Sequence, residues 1–105
     1  MNQRGEPLRA EFTPAALADL EGIWDYIAKD SAPAARVVTG TILESVTRLT
    51  EFPWMGQPRT DLADEALRVW PVHSYLIIYR PTPEAVEIIR VVSGFRDLLA
   101  LFPEL

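Results

Sequence analysis

The period of hydrophobic and polar positions changes several times along the chain, and each change marks a predicted element. Residues 8–12 alternate apolar with polar, which is the period of a half-buried strand. Thr13 and Pro14 then supply a capping hydroxyl and a proline at the first helical position, so an amphipathic helix is predicted over residues 14–29. Its predicted inner stripe is Leu17, Leu20, Trp24 and Ile27.

A second helix is predicted after the break KDSAP, where Pro33 suits the first turn. Its predicted inner stripe is Ala35, Val38, Ile42, Val46 and Leu49. The connection between the helices is short, so we expect an antiparallel helical hairpin. Two prolines and a glycine interrupt any period in residues 52–66, which are predicted to form a surface loop.

The second half of the chain is β-like. LRVWPV, SYLIIY and AVEIIRVV are rich in β-branched and aromatic residues, and turn sequences separate them, so a three-stranded antiparallel meander is predicted. Pro71 lacks a backbone donor, which indicates an edge or a bulge. Strict alternation places Arg90 on the same side as Ile88 and Val92. The tail FRDLLALF has the length of two helical turns.

These elements predict a single α+β domain over residues 1–105. An N-terminal strand joins a mainly antiparallel sheet, either at an edge or beside the last strand. The antiparallel helical hairpin packs on that sheet, and a short C-terminal helix follows.

Composition and charge exclude several classes of protein. The 105 residues include no cysteine, which excludes disulfides and thiolate metal sites. The chain has neither a membrane-length apolar run nor the apolar core of a signal peptide, so we expect a cytoplasmic protein without a membrane partner. The net charge is −5, which argues against direct sequence-specific nucleic-acid binding. The acidity lies in residues 1–66 and indicates a partner with cationic segments.

Residues with catalytic or metal-binding potential are few. His73 is the only histidine and falls at a predicted turn, without the neighbours of a triad or a metal site. Asp61, Asp64 and Glu65 lack the ligand spacing and the turn glycine of a calcium loop, so a solvated acidic loop is predicted. We expect no metal and no cofactor.

The aromatic and cationic residues of the second half are the candidates for binding. Trp54 in the loop and Trp70 in a strand either cover the edge of the core or act as binding anchors. Arg90 either meets a partly buried carboxylate such as Asp97 or faces outward, and Arg96 raises the same choice. The candidate set is Trp54, Arg59, Arg68, Trp70, Arg80, Arg90 and Arg96.

Four segments, taken in order, resemble the ParE toxins of the ParE/RelE superfamily of bacterial toxin-antitoxin systems. They are ALADLEGIWDYIA, LTEFPWMGQPRTDL, LRVWPVHSYLIIYR and IIRVVSGFRDL, and the resemblance covers residues 12–102. It implies a RelE/ParE-like fold and a toxin that is neutralised by a ParD-like antitoxin. It also implies that the toxin traps the cleaved-DNA complex of DNA gyrase and is not itself an enzyme. Ser93 stands where related chains often carry a histidine.

The resemblance also implies how an antitoxin tail would bind, by a helix in a groove and by strand addition. The receiving surfaces would be the exposed side of the hairpin, the open sheet edge and the candidate set named above. Within that set we expect Arg96 to help form the surface that the antitoxin or gyrase recognises. Asp97 is expected to tie the tail to the sheet through Arg90.

Two alternatives remain open from the sequence. One is a RelE-like ribonuclease that cuts messenger RNA on the ribosome, with Tyr75, Tyr79, Arg80 and Arg90 as catalytic candidates. Against it, the only lysine is Lys29, and the tail after Arg96 contains no Tyr, His or Lys. The other alternative is a non-toxic interaction module of the same fold.

Overall fold

The computed structural model describes residues 8–60 and 66–94. The elements follow the predicted order, except for a two-residue strand in the segment predicted to be a loop. The predicted C-terminal helix lies outside the described residues. The elements are β1 (Arg9–Phe12), α1 (Pro14–Ala28), α2 (Ala32–Glu51), β2 (Gln57–Pro58), β3 (Arg68–Val72), β4 (Tyr75–Pro81) and β5 (Ala85–Val92).

Both helices begin with a hydroxyl cap and a proline in the first turn. The Thr13 hydroxyl accepts a hydrogen bond from the backbone N–H of Ala16 at 3.0 Å. The Ser31 hydroxyl accepts one from the backbone N–H of Ala34 at 3.1 Å. Each cap satisfies a donor that the first helical turn cannot pair internally. The predicted hairpin of two helices is therefore confirmed with well-defined starts.

The predicted stripe of α1 is partly confirmed, since Leu20 and Ile27 pack against the core, but the buried face of the helix is rotated from the prediction. Ala16 and Ile23 are buried, whereas Leu17 is 51% exposed and Trp24 is only half-buried. Thr13 explains the rotation, because its backbone N–H and its hydroxyl donate to the carbonyls of β5 residues 88 and 89. These bonds fix the start of α1 on the sheet and turn Ala16 inward. In α2 the predicted stripe is correct, with Val38 half-buried and its other members buried.

The sheet has the order β1-β5-β4-β3-β2. β1 pairs in parallel with β5 and forms one edge, while the other pairs are antiparallel. The prediction for the first strand is thus confirmed. β2 pairs only with Arg68 and Val69, so Pro71 lies on a stretch of β3 that is open on one side among the described residues. His73 occupies the β3–β4 turn, as predicted, with φ of 55°.

A β-bulge in β5 changes which side chains share a face. Ile78 pairs with Arg90, but the next residue, Tyr79, pairs with Ile88, so β5 carries one extra residue at this point. The predicted alternation is therefore wrong beyond Ile88. Val91 packs with the helices, whereas Val92 belongs to the cluster on the opposite face.

The main core lies between the helical hairpin and the sheet. Its largest fully buried side chains include Ile42, Leu49, Ile77, Tyr79 and Ile88. A smaller cluster covers the other face of the sheet and contains Leu67, Val69, Ile78 and Val92. Neither helix of the described chain has the length and hydropathy needed to span a membrane.

Candidate partner-binding surface

Arg90 is tied to the first helix by a two-pronged ion pair. Its Nε and Nη2 donate to the carboxylate oxygens of Asp19 at 2.7 and 2.9 Å. The backbone N–H of Val91 donates to the same carboxylate at 2.8 Å. The hydrogen bond to Asp19 raises the pKa of Arg90 above its usual value. The carboxylate that Arg90 meets is thus Asp19 in α1, while Asp97 lies outside the described residues.

Arg80 is also engaged with a neighbouring strand. Its Nε donates to Glu87 at 2.9 Å across the β4–β5 ladder, and about a third of each side chain is exposed. A cross-strand pair of this exposure stabilises a sheet by a few tenths of a kcal/mol to about 1 kcal/mol. Arg80 and Arg90 therefore both take part in contacts between elements of the fold.

Tyr79 is fully buried and its hydroxyl holds the loop after α2. The hydroxyl accepts from the backbone N–H of Gly56 at 2.8 Å and donates to the carbonyl of Pro53 at 2.9 Å. Burial raises the pKa of Tyr79 above its usual value. A Cβ at Gly56 would overlap the Tyr79 hydroxyl and lie 2.8 Å from the Val69 carbonyl. This position can hold only glycine without a shift of its neighbours.

Trp54 projects from this fixed loop and rests on Arg68. Arg68 Nη1 donates to the carbonyl of Trp54 at 3.1 Å and also to the carbonyl of Gly56. The guanidinium carbon lies 4.9 Å from the centre of the Trp54 ring, within the range of a cation–π contact. Trp54 is nevertheless 69% exposed, and nearby Phe52 is 57% exposed. The loop thus presents a large aromatic ring in a fixed position.

A groove borders the open part of the β3 edge, close to this loop. Its volume is about 580 Å³, and Trp70 and Pro71 contribute to its lining. Trp70 is half-buried and packs against the main core. Of the two tryptophans with open roles, Trp70 covers the core edge, whereas Trp54 is exposed.

The structure brings only part of the candidate set together. Trp54, Arg68 and Trp70 lie around β2 and β3, and the backbone N–H of Arg59 donates to Leu67 in the same region at 2.9 Å. Arg80 and Arg90 lie in ion pairs elsewhere on the sheet. Arg96 lies outside the described residues.

Sequence reasoning missed Asp19 and Gly56, which hold these regions in place. Asp19 occurs among other acidic residues of α1, and the sequence carries no local signal for its contact 71 positions away. Gly56 offered a weak signal as the single glycine of the FPWMG loop. Across residues 8–60 and 66–94 no group of three or more potential metal ligands occurs. The predicted acidic loop of Asp61, Asp64 and Glu65 lies outside those ranges.

Comparison with known proteins relates the chain to toxins. A family model described as the ParE toxin of the type II toxin-antitoxin system parDE matches residues 10–98. No curated protein sequence matches the chain. A solved structure of the chromosomal ParDE system of P. aeruginosa is similar, with a TM-score of 0.71 at 21% identity. That alignment covers 84% of this chain and 97% of the other.

The toxin-antitoxin complex RelBE2 of Mycobacterium tuberculosis is similar too. The TM-score is 0.59 at 24% identity, and the alignment covers 83% of this chain and 91% of the other. At these identities the two structures establish a shared fold. The α+β arrangement of a helical hairpin on a mainly antiparallel sheet is therefore that of ParE/RelE-like proteins.

Proposed function

Because the chain belongs to the ParE toxin family of type II toxin-antitoxin systems, we propose that it inhibits DNA gyrase by trapping the cleaved-DNA complex. A cognate antitoxin neutralises it by covering the surface that meets the target. In this proposal the chain is not an enzyme and acts by binding alone. The family model spans residues 10–98, which include both helices and all the strands after β1.

The observation that carries the choice of target is that two of the four ribonuclease candidates, Tyr79 and Arg90, are engaged in contacts within the fold. Tyr79 is fully buried and its hydroxyl is bonded at both ends to the backbone. Arg90 is held by both oxygens of Asp19. Cleavage of RNA by its 2′-hydroxyl needs a proton acceptor that reaches this hydroxyl and cations that reach the phosphate. Breaking these contacts to reach RNA would cost the fold part of its stability, which favours the non-enzymatic interpretation.

The charge distribution supports the same choice. Binding to ribosomal RNA draws its affinity from clustered Lys and Arg. This chain has a net charge of −5, and α1 contains three acidic residues and no basic residue. An acidic helix on the surface favours a protein partner over a polyanion.

The candidate contacts with partners fall in the region that the structure leaves exposed. We propose that Trp54 is an anchor for the antitoxin or for gyrase, because a large aromatic ring on a fixed backbone loses little freedom on binding. Arg68 supports that ring, while Arg59 follows β2 and Trp70 lies in β3, in the same part of the sheet. Arg80 and Arg90 act mainly by holding the sheet and α1 in place. Arg96 keeps its proposed role in recognition.

The experiment pairs a gyrase assay with a translation assay on one toxin preparation. Purified gyrase and plasmid report supercoiling and cleavage, and a cell-free system reports protein synthesis. Trapped cleaved plasmid with unimpaired translation is expected. Addition of the antitoxin should restore supercoiling in stoichiometric amounts.

The other outcomes assign the chain elsewhere. Intact supercoiling with cleaved messenger RNA would overturn the gyrase proposal in favour of the ribonuclease. A toxin that affects neither assay, and that does not arrest growth when expressed, would be a non-toxic interaction module. Trp54→Ala serves as a variant in the gyrase assay, with reduced trapping expected at an unchanged fold.

A further inference from the structure

A second groove lies between α1 and the sheet, on the side of α1 that faces the end of β5. Its volume is about 610 Å³, which is in the range of sites that enclose a large side chain or a small ligand. The buried side chains of Ile23 and Val91, which belong to the core cluster between the helices and the sheet, contribute to its apolar lining. Tyr26, which is 72% exposed, and Tyr75, which is half-buried, also line it.

The base of this groove is held rigidly. Asp19 and Arg90 both line it, and their two-pronged ion pair joins α1 to β5. The Asp19 carboxylate also accepts from the backbone N–H of Val91 at 2.8 Å. A preformed groove loses less conformational freedom on binding than a surface that must be assembled.

Gly22 lowers the helical wall of the groove. It is exposed in the middle of α1, where glycine is less favourable than alanine. A Cβ at this position would meet no heavy atom of the described residues within 4 Å. Because glycine has no side chain, the backbone of a second chain can approach α1 more closely at Gly22 than at a residue that carries one.

The solvent side of α1 beside Gly22 is acidic. Glu21 and Asp25 are exposed, lie four residues apart and therefore share a face of the helix. Neither forms an ion pair within residues 8–60 and 66–94. Like charges at this spacing destabilise a free helix slightly, and a cationic partner would remove that repulsion.

We propose that this groove receives a cationic amphipathic segment of the antitoxin. A large apolar side chain of that segment enters between Tyr26 and Tyr75, and its backbone crosses α1 at Gly22. Its Lys or Arg side chains meet Glu21 and Asp25. This inference rests on the proposed neutralisation by an antitoxin and adds where the antitoxin binds and which chemistry it uses.

The role of the acidic side chains is tested by calorimetric titration of the toxin with its cognate antitoxin, at low and high salt. The double variant Glu21→Lys, Asp25→Lys should bind about tenfold more weakly and with less dependence on salt. The control, Glu44→Lys with Glu51→Lys, makes the same charge change at exposed sites of α2. Equal losses in both double variants would show attraction by net charge alone and would overturn the assignment.

The close approach of the antitoxin backbone at Gly22 is tested by substituting this glycine, with Gly40 in α2 as the control. A Cβ added at either position would meet no described atom within 4 Å. Alanine at either position should raise the melting temperature of the free toxin by about 2–5 °C, because both are helical. Only Gly22→Ala should also weaken antitoxin binding, by about three- to tenfold. A lower melting temperature for Gly22→Ala would indicate that the groove is already filled within the free chain, and would overturn the inference.

The identity of the occupant is tested by photo-crosslinking from benzoylphenylalanine placed at Tyr26. Crosslinks to an antitoxin segment that carries Lys or Arg next to a large apolar residue are expected. Crosslinks to residues 95–105 of the toxin, to a second toxin copy or to an acidic antitoxin segment would overturn the inference. If the wild-type toxin binds the antitoxin while no groove variant weakens binding, only this inference fails. If the wild-type toxin does not bind the antitoxin, the proposed function fails with it.

Discussion

Arg90 and Arg68 lie in two regions of one sheet and are held in different ways. Arg90 meets a carboxylate with two hydrogen bonds, and the pair joins the first helix to the last strand. Arg68 meets two backbone carbonyls and the face of an exposed ring. The first region joins elements that are distant in sequence, whereas the second fixes a loop.

The difference shows that the arginines of one sequence can have two roles: one arginine braces two elements of the fold, and another supports an exposed aromatic ring. A two-pronged bond to a carboxylate engages most of the guanidinium fork and suits a brace between elements. A cation–π contact leaves the far face of the aromatic ring open to solvent or to a partner. We therefore expect changes around Arg90 to act on folding, and changes at Trp54 to act on binding.

The largest loss of stability is expected at Gly56, in the loop that follows α2. Gly56→Ala would overlap the Tyr79 hydroxyl and crowd the Val69 carbonyl, both of which are part of the packed sheet. We expect a loss of about 3 kcal/mol in the free energy of unfolding, measured by urea denaturation. Gly40→Ala is the matched control and should stabilise slightly. A wild-type midpoint for Gly56→Ala would mean that the loop is not seated on Tyr79.

The second-largest loss of stability is expected at the ion pair between Asp19 and Arg90, which joins α1 to β5. Asp19→Ala removes the acceptor of two Arg90 bonds and of the Val91 backbone N–H, and it leaves a half-buried cation unpaired. The expected loss is about 2 kcal/mol, below the value for a fully buried pair because Arg90 is partly exposed.

A double-mutant cycle with Arg90→Met sharpens this prediction. The second substitution should cost much less in the Asp19→Ala background than in the wild type, because the cation is already unpaired there. Additive losses would show that the two side chains act independently and that Arg90 is not a brace.

A smaller loss of stability, which depends on pH, is expected when the Tyr79 hydroxyl is removed. Tyr79→Phe leaves the Gly56 N–H and the Pro53 carbonyl without this partner, at a cost of about 1.5 kcal/mol at pH 7. Burial raises the folded-state pKa of Tyr79, so the unfolded chain releases this proton first as the pH rises. The contribution to stability is constant below the unfolded value of about 10 and is lost above it.

The check is urea unfolding between pH 7 and pH 11. The alkaline decline should be less steep in Tyr79→Phe than in the wild type. An identical decline in the wild type and in Tyr79→Phe would contradict the burial of the Tyr79 hydroxyl.

The fold was largely predictable because its elements carry strong local patterns. The α2 stripe from Ala35 to Leu49 and the three strands of the meander follow from periodicity, and the caps follow from hydroxyl and proline positions. In α1 the predicted Leu20 and Ile27 pack against the core, whereas Leu17 is exposed because bonds from Thr13 to β5 orient the helix and turn Ala16 inward. No local pattern in α1 encodes that distant contact.

The candidate site was less predictable for a related reason. The bulge near Arg90 depends on the pairing of two strands, and it changes the face of every later residue in β5. The partner of Arg90 is Asp19 in α1, and Gly56 packs against Tyr79 in β4. Both contacts join residues that are distant in sequence. Residue type thus predicted the arginines and tryptophans as binding candidates, while the ion pairs of Arg80 and Arg90 and the exposed position of Trp54 required the three-dimensional arrangement.

The smallest expected effect on stability, and the one that tests the anchor, is at Trp54. Its ring is 69% exposed and contacts Arg68 on one face, so Trp54→Ala should cost only about 0.5 kcal/mol in unfolding. Binding to the antitoxin or gyrase should nevertheless fall by about tenfold or more, because truncation of a central aromatic anchor costs over 1 kcal/mol. Phe52→Ala is a control for general loss of exposed aromatic surface. Titration of both variants beside their urea midpoints separates the two quantities, and an unfolding loss at Trp54 as large as that of Asp19→Ala would make the ring part of the fold.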